Sequence, residues 1–138
     1  MRLTTRYRFS ASHRLDTPAL SPEENRKLYG KCNNPHGHGH DYVLEITVDG
    51  SVDQDGQIVN RGALDAVVRE RVLSRVDHKN LNTDIPELAG SVTTTENLAT
   101  MIHRALAKGW SLPARLTRVR ISETARNTFE LEVGQGTR

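Results

Sequence analysis

The sequence predicts an α+β domain in which a four-stranded antiparallel sheet carries two helices on one face. Three observations support this fold class. Four segments alternate apolar and polar residues with a period of two, two further segments repeat apolar residues at helical spacing, and the order is β-β-α-α-β-β. Strands that follow one another directly pair as hairpins, and the helices between them cover one face of the sheet.

The composition describes one domain that spans residues 1–138. Hydrophobic residues make up 36% of the chain and charged residues 26%, which suits a soluble globular protein. There is neither a membrane-length apolar run nor the apolar segment of a secretory signal, so we expect a cytoplasmic protein without a membrane partner. A net charge of +2 and 4% aromatic residues argue against a nucleic-acid partner.

The first two strands are predicted from their alternation. Between Tyr7 and His13 the odd-numbered positions are apolar, and His13 shares their face. Between His40 and Asp49 the even-numbered positions are apolar, with His38 and His40 in register with them. Both strands therefore direct histidines toward the core side of the sheet.

The helices are predicted from apolar spacing and from capping residues. The first begins after an N-cap at Asn60 and runs to about Arg75. The second has a capping box with Thr93 as N-cap and Glu96 at the third helical position, and Gly109 caps its end. Two minor elements are also expected, a helical turn near residues 23–28 and a strand that restarts at residues 58–59.

Two final strands are predicted, over residues 116–123 and 129–133, with a turn at 125–127 and a frayed tail from Gly134. Glu123 is in register with Val119 and Ile121, which favours an inward carboxylate that needs a partner; the alternative is a surface charge at a strand end. A four-stranded sheet also has two open edges. Self-association would cover them, so we expect an oligomer.

The histidines at the strand ends predict a metal site. His38 and His40 are two apart on a strand, about 6.6 Å between α-carbons, and point the same way. If the first two strands pair, His13 joins them, and three neutral imidazoles with one open position are typical of catalytic zinc. The alternative is that the His-Gly-His segment is a polar loop. His36 is interpreted as a bystander, and His103 as a surface or packing residue.

Cys32 is the only cysteine, which excludes an intrachain disulfide. It allows three interpretations. It could be a fourth ligand that closes a structural metal site, a base or nucleophile beside an open site, or a buried inert thiol. In the second case a nearby cation would lower the pKa of the thiol. Spacing alone does not decide between the first two.

Five motifs occur in order: FSASH (9–13), GKCNNPHGHGHDY (30–42), DHKNL (77–81), TTEN (94–97) and SET (122–124). Together they resemble the 6-pyruvoyl-tetrahydropterin synthase family, which includes the 6-carboxy-tetrahydropterin synthases of the queuosine pathway. The resemblance covers about residues 3–133. It implies the tunnelling fold, in which three subunits close a twelve-stranded barrel, two trimers stack into a homohexamer, and active sites lie between subunits.

The resemblance also implies roles for individual residues. It makes His13, His38 and His40 the zinc ligands, and Cys32 a catalytic residue rather than a ligand. It makes Asp77 and His78 an acid–base pair that reaches the cysteine of a neighbouring subunit. Without the resemblance, Asp77 and His78 would be interpreted as a solvated turn. Because the two residues are adjacent, their side chains can cooperate only in a loop. The pterin-binding residues that it implies are Glu123, Thr94, Thr95 and Glu96.

The implied reaction eliminates triphosphate from 7,8-dihydroneopterin triphosphate with internal redox. The five residues between Cys32 and His38 favour the pyruvoyl-type enzyme over the carboxy type, which releases acetaldehyde and typically has three. His36 stands where animal-type members usually have asparagine, so it could compete for the metal. A third hypothesis, from another class, is a non-catalytic structural zinc-binding oligomer. The sequence does not decide which cationic side chain binds the triphosphate; the candidates are Arg14, Arg26, Lys27, Lys31 and Lys79.

Overall fold

A computed structural model describes residues 1–35, 37–123 and 127–133 of the protein. Its strands form one mixed sheet in the order β3-β1-β2-β4-β5. The strands are β1 (Arg2–His13), β2 (His38–Asp49), β3 (Lys79–Asn80), β4 (Arg115–Ser122) and β5 (Thr128–Glu132). The expectations for His36, for most of the turn at 125–127 and for the tail from Gly134 fall outside the described residues.

The helices occupy three stretches of the chain. Within the described ranges, none has both the length and the hydropathy of a transmembrane segment. Short 3-10 turns cover Gly30–Asn33 and Pro86–Leu88. The helical elements are α1 (Pro22–Tyr29), α2 (Arg61–Val68), which continues through a π-helical turn (Arg69–Leu73) into α3 (Ser74–Val76), and α4 (Thr95–Ala107).

The α+β class is confirmed, but the predicted strand count of four is wrong. Strands β1, β2, β4 and β5 pair antiparallel in the expected way. The additional strand β3 pairs parallel with Ala11 and Ser12 of β1. The chain leaves α3 along the edge of β1, where the amide of Leu81 donates to the carbonyl of Ser12 at 2.8 Å. A two-residue strand has no alternation that a sequence pattern could reveal.

The apolar faces predicted for β1 and β2 are confirmed as the sheet side of the core. The alternating residues of both strands are buried, and they form one cluster with the apolar residues of the helices. On the other face, Arg6 and Arg120 form ion pairs with Glu45 across β1, β2 and β4. The core therefore lies between one face of the sheet and helices α2, α3 and α4.

The first predicted helix is confirmed, and the start of the second is corrected by one residue. The side chain of Asn60 accepts a hydrogen bond from the amide of Ala63 at 2.9 Å. In α4 the N-cap is Thr94 rather than Thr93. The Thr93 hydroxyl donates to the carbonyl of Arg14 instead, so it is not available as a cap. Gly109 has φ +68°, which fits the predicted C-terminal cap.

The two minor elements differ from their predictions. The expected helical turn is the eight-residue α1, which begins with a capping box: Ser21 accepts from the amide of Glu24, whose carboxylate accepts from the amide of Ser21. The strand predicted at Ile58 and Val59 is wrong. A turn closed on the carboxylate of Asp53 reverses the chain, and these two residues are buried in a bend just before α2.

Leu98 of α4 provides a test of this core. It is fully buried, so Leu98→Ala is expected to lower the free energy of unfolding by about 2–5 kcal/mol, through lost transfer energy and the cavity left behind. Urea unfolding followed by circular dichroism measures this difference. Leu28 is 63% exposed, and Leu28→Ala is the matched control. Equal losses in the two variants would contradict the described packing.

Candidate functional site

Four side chains converge at one end of the core. The potential ligand atoms of His13, Cys32, His40 and Glu123 all lie within 4.8 Å of one another. The antiparallel register of β1 and β2 places His13 opposite His38, at the end of one strand and the start of the other. The remaining two members come from the Gly30–Asn33 turn and from the residue after β4. With His40 from β2, four separate parts of the chain therefore supply this cluster.

His13 is held in the state that a metal ligand requires. Its ring is 1% exposed, and Nδ1 lies 2.7 Å from the carbonyl oxygen of Thr93. A carbonyl only accepts, so the proton is on Nδ1 and the lone pair is on Nε2. Burial lowers the pKa of His13, which keeps the ring neutral. Nε2 is buried and has no hydrogen-bond partner in the part of the chain that the structure describes, so it fits a metal ligand.

His40 joins the cluster, whereas His38 lies beside it. The Nε2 atom of His40 is 3.1 Å from a carboxylate oxygen of Glu123 and 3.7 Å from the sulfur of Cys32. Burial lowers the pKa of His40, and Glu123 partly opposes this shift. The ring of His38 packs against that of His40 with centroids 4.7 Å apart. Two of the three expected zinc ligands thus converge, and ligation by all three remains a prediction.

Cys32 lies inside the cluster and is partly buried, which favours the first two interpretations over a buried inert thiol. Burial is the main cause that raises the pKa of Cys32, and the negative charge of Glu123 raises it further. The lowered pKa expected from the sequence depended on a cation beside the sulfur. The described groups of this chain act in the opposite direction, so they do not supply that effect.

Glu123 has the inward orientation that its register predicted. One carboxylate oxygen contacts His40, and the other accepts a hydrogen bond from the hydroxyl of Thr95 at 2.6 Å. Thr94 caps α4 through its side chain. Glu96 is exposed in the first turn of that helix. The structure therefore brings Thr95 to Glu123, and pocket roles for Thr94 and Glu96 remain predictions.

Asp77 and His78 face each other in a loop, as their cooperation requires. Nδ1 of His78 is 3.0 Å from a carboxylate oxygen of Asp77, and His78 has φ +60°. The same carboxylate oxygen accepts from the amide of Ser10 at 3.0 Å, on the outer edge of β1. The side chain of His78 is 79% exposed. Within the described residues of one chain, no contact joins this pair to Cys32.

Tyr42 is a residue that the sequence analysis treated only as part of the core. It follows His40 on the same face of β2, and its ring centroid is 5.8 Å from that of His40. The side chain is 1% exposed, and its hydroxyl has no hydrogen-bond partner among the described residues. A signal was present in the sequence, because a tyrosine in register with two candidate ligands adds a polar group to their face of the strand.

Comparisons with known proteins agree with the motifs. The family model for 6-pyruvoyl tetrahydropterin synthase matches residues 2–133. The 6-pyruvoyl tetrahydrobiopterin synthase of Dictyostelium discoideum is 49% identical over 126 residues, which are 91% of this chain and 90% of that protein. The solved structure of Caenorhabditis elegans 6-pyruvoyl tetrahydropterin synthase has a TM-score of 0.89 at 36% identity, over 97% of this chain and 96% of that one.

A second type of relative matches less closely. A protein of Archaeoglobus fulgidus that carries a provisional name as a 6-carboxy-5,6,7,8-tetrahydropterin synthase is 32% identical over 94 residues. The match covers 67% of this chain and 71% of that protein. Both reaction types considered from the sequence are therefore represented among the similar proteins, with the pyruvoyl type at higher identity.

Proposed function

Because the chain belongs to the 6-pyruvoyl tetrahydropterin synthase family, we propose that it is a zinc-dependent lyase that forms 6-pyruvoyl-tetrahydropterin. Its substrate is 7,8-dihydroneopterin triphosphate, from which triphosphate leaves while hydrogens move from the side chain into the ring. The observation that carries the proposal is the convergence of His13, His40, Cys32 and Glu123 within 4.8 Å. These are the groups that the reaction needs: metal ligands, a base and an anchor.

The proposed metal site uses His13, His38 and His40. The buried, proton-free Nε2 of His13 supports this assignment, as does the packing of the other two rings against each other. When bound, zinc supplies Lewis acidity that polarises the carbon–oxygen unit of the substrate side chain. The carbonyl of Thr93 accepts from Nδ1 of His13 and so fixes the tautomer and the orientation of the ring.

Glu123 is proposed as the anchor for the pterin ring. The ring carries an amino group and a ring N–H side by side, and a carboxylate accepts both in a bidentate arrangement. The hydroxyl of Thr95 already holds one of its oxygens. Such charge-assisted hydrogen bonds fix the ring, so the side chain of the substrate is oriented toward Cys32.

Proton transfer is proposed to involve Cys32 together with Asp77 and His78. The thiolate of Cys32 takes a proton from the substrate side chain, and the pair relays protons. Asp77 is bonded to the outer edge of β1, and His78 is exposed there, which favours action on the cysteine of a neighbouring subunit. We therefore propose a homo-oligomer, a hexamer built from two trimers, in which each site is completed by a second copy.

Product analysis tests the proposed function. The purified, zinc-loaded protein is incubated with 7,8-dihydroneopterin triphosphate, and products are identified by mass spectrometry. We expect triphosphate and a tetrahydropterin that keeps all three side-chain carbons. The second candidate is the carboxy-type reaction, favoured by the similarity to the Archaeoglobus fulgidus protein. Acetaldehyde as a main product would establish that reaction, and an unchanged substrate would contradict both.

Removal of one proposed ligand tests the metal site. His13→Gln keeps a polar side chain but replaces the imidazole, so zinc measured after dialysis is expected to fall by at least about tenfold. His103 lies on α4 outside the cluster, and its conversion to glutamine is the matched control. Retained zinc in the His13 variant, or an equal loss in both variants, would contradict the proposed ligand set.

A further inference from the structure

The hydroxyl group of Tyr42 is a buried polar group that the proposed mechanism does not yet use. It lies in a side chain that is 1% exposed and has no hydrogen-bond partner in residues 1–35, 37–123 and 127–133. More than about 90% of buried polar groups in proteins are hydrogen-bonded. An unpaired hydroxyl beside a functional cluster therefore suggests a partner that arrives from outside the chain.

The position of this hydroxyl is fixed by its surroundings. The ring stacks on Phe9 with centroids 4.9 Å apart and an interplanar angle of 14°. The ring also packs against that of His40, with centroids 5.8 Å apart, so the hydroxyl belongs to a side chain that adjoins the cluster. A neutral phenol donates one hydrogen bond.

Tyr42 adjoins the candidate site through the ring of His40. Cys32, His40 and Glu123 are each only partly buried, so a ligand ring can bind at the cluster beside Tyr42. Both oxygens of Glu123 already have partners within the protein, at His40 and Thr95. The hydroxyl of Tyr42 has no partner among the described residues, which leaves it free for a ligand.

The chemistry of the ligand edge matches that donor. If Glu123 accepts the amino group and the ring N–H of a pterin, the next atom along the same edge is a carbonyl oxygen, which needs a donor. We propose that the hydroxyl of Tyr42 donates to this carbonyl oxygen and thereby selects rings that carry a carbonyl there. The inference rests on the proposed function and deepens it, since it assigns a specificity-determining residue to the same site.

A pair of ligands and the variant Tyr42→Phe test the inference. Dissociation constants are measured by calorimetry for 7,8-dihydroneopterin, which has the carbonyl, and for a 2,4-diaminopteridine, which has an amino group in its place. The wild-type protein is expected to prefer the carbonyl ring. Tyr42→Phe is expected to reduce that preference about tenfold, with unchanged zinc content. Both proteins are measured with the same two ligands. Any difference in how the two ligands bind Glu123 therefore affects both preferences equally and cancels when the preferences are compared.

Thermal unfolding separates this role from a structural one. In the part of the chain that the structure describes, the hydroxyl has no partner to lose, so Tyr42→Phe is expected to keep or raise Tm. Tyr7 is the matched control, since it is also buried on that face of the sheet and donates to Asp65 at 2.7 Å. Tyr7→Phe is expected to lower Tm and to leave the ligand preference unchanged.

The outcomes distinguish a failure of the proposed function from a failure of the role assigned to Tyr42. A wild-type protein that binds neither ring would overturn the proposed function and this inference with it. A wild-type protein that binds and turns over pterin, together with a Tyr42→Phe variant of unchanged preference, would overturn the inference alone. A lowered Tm with unchanged preference would assign the hydroxyl of Tyr42 a structural role.

Discussion

Cys32→Ala is expected to lower kcat by roughly 10²–10⁴-fold, the usual contribution of a positioned base, while the zinc content stays at the wild-type level. The reason is that the thiol is proposed to take a proton from the substrate side chain and is not proposed to hold the metal. Steady-state turnover and metal analysis on the same preparation measure both quantities. A far-ultraviolet circular dichroism spectrum verifies that the variant is folded.

The zinc measurement decides between the two interpretations of Cys32 that the sequence left open. Its sulfur lies 3.7 Å from Nε2 of His40 and belongs to the group of four potential ligands, so a closed site is compatible with the geometry. If Cys32→Ala loses zinc together with turnover, the thiol is a ligand, and the result supports the hypothesis of a closed structural zinc site. If zinc and turnover both persist, the proposed base is wrong.

The sheet was predictable because burial on one face imposes a period of two on each strand. Tyr7, Phe9 and Ala11 are buried as their alternation requires, and β2 behaves in the same way over four positions. The same register brought His13 and His40 to one end of the core. The strand count was not predictable, since β3 pairs through only two residues and is defined by backbone contacts with Ser12 and its neighbours.

Tertiary contacts of three threonines explain why α4 begins one residue later than the sequence predicted. Three consecutive threonines precede Glu96, and either Thr93 or Thr94 could cap a helix. Tertiary contacts assign them: the carbonyl of Thr93 accepts from His13, Thr94 caps α4, and Thr95 donates to Glu123. Sequence reasoning assigns helix propensity but not these partners, which come from distant parts of the chain.

The sequence predicted which residues belong to the site better than it predicted how they are arranged. Alternation and motif order pointed to the histidines, Cys32 and Glu123. His38 lies beside the cluster, and the hydroxyl of Tyr42 has no partner within residues 1–35, 37–123 and 127–133. Both features follow from side-chain packing, which no spacing rule contains. The outward position of His78 depends on a loop conformation with positive φ, which is uncommon for a residue other than glycine.

Glu123→Gln is expected to weaken pterin binding about 10–100-fold, because the substitution keeps the size of the side chain but removes the charge. Hydrogen bonds to a charged group contribute about 1.5–3 kcal/mol, and an amide cannot accept from two adjacent N–H donors as a carboxylate does. The oxygen that Thr95 contacts is preserved in the variant, so the fold of α4 is expected to stay intact. KM and the dissociation constant of 7,8-dihydroneopterin measure the effect.

Glu45 offers a matched control for this prediction. Its side chain is 12% exposed against 18% for Glu123, and it also carries partners, since Arg6 and Arg120 lie at 3.0 and 3.3 Å. It belongs to the opposite face of the sheet, so Glu45→Gln removes a mostly buried carboxylate that is not part of the cluster. We expect a small loss of stability and an unchanged dissociation constant. Equal weakening in both variants would mean that binding responds to the charge of the sheet as a whole, and Glu123 would lose its role as the anchor.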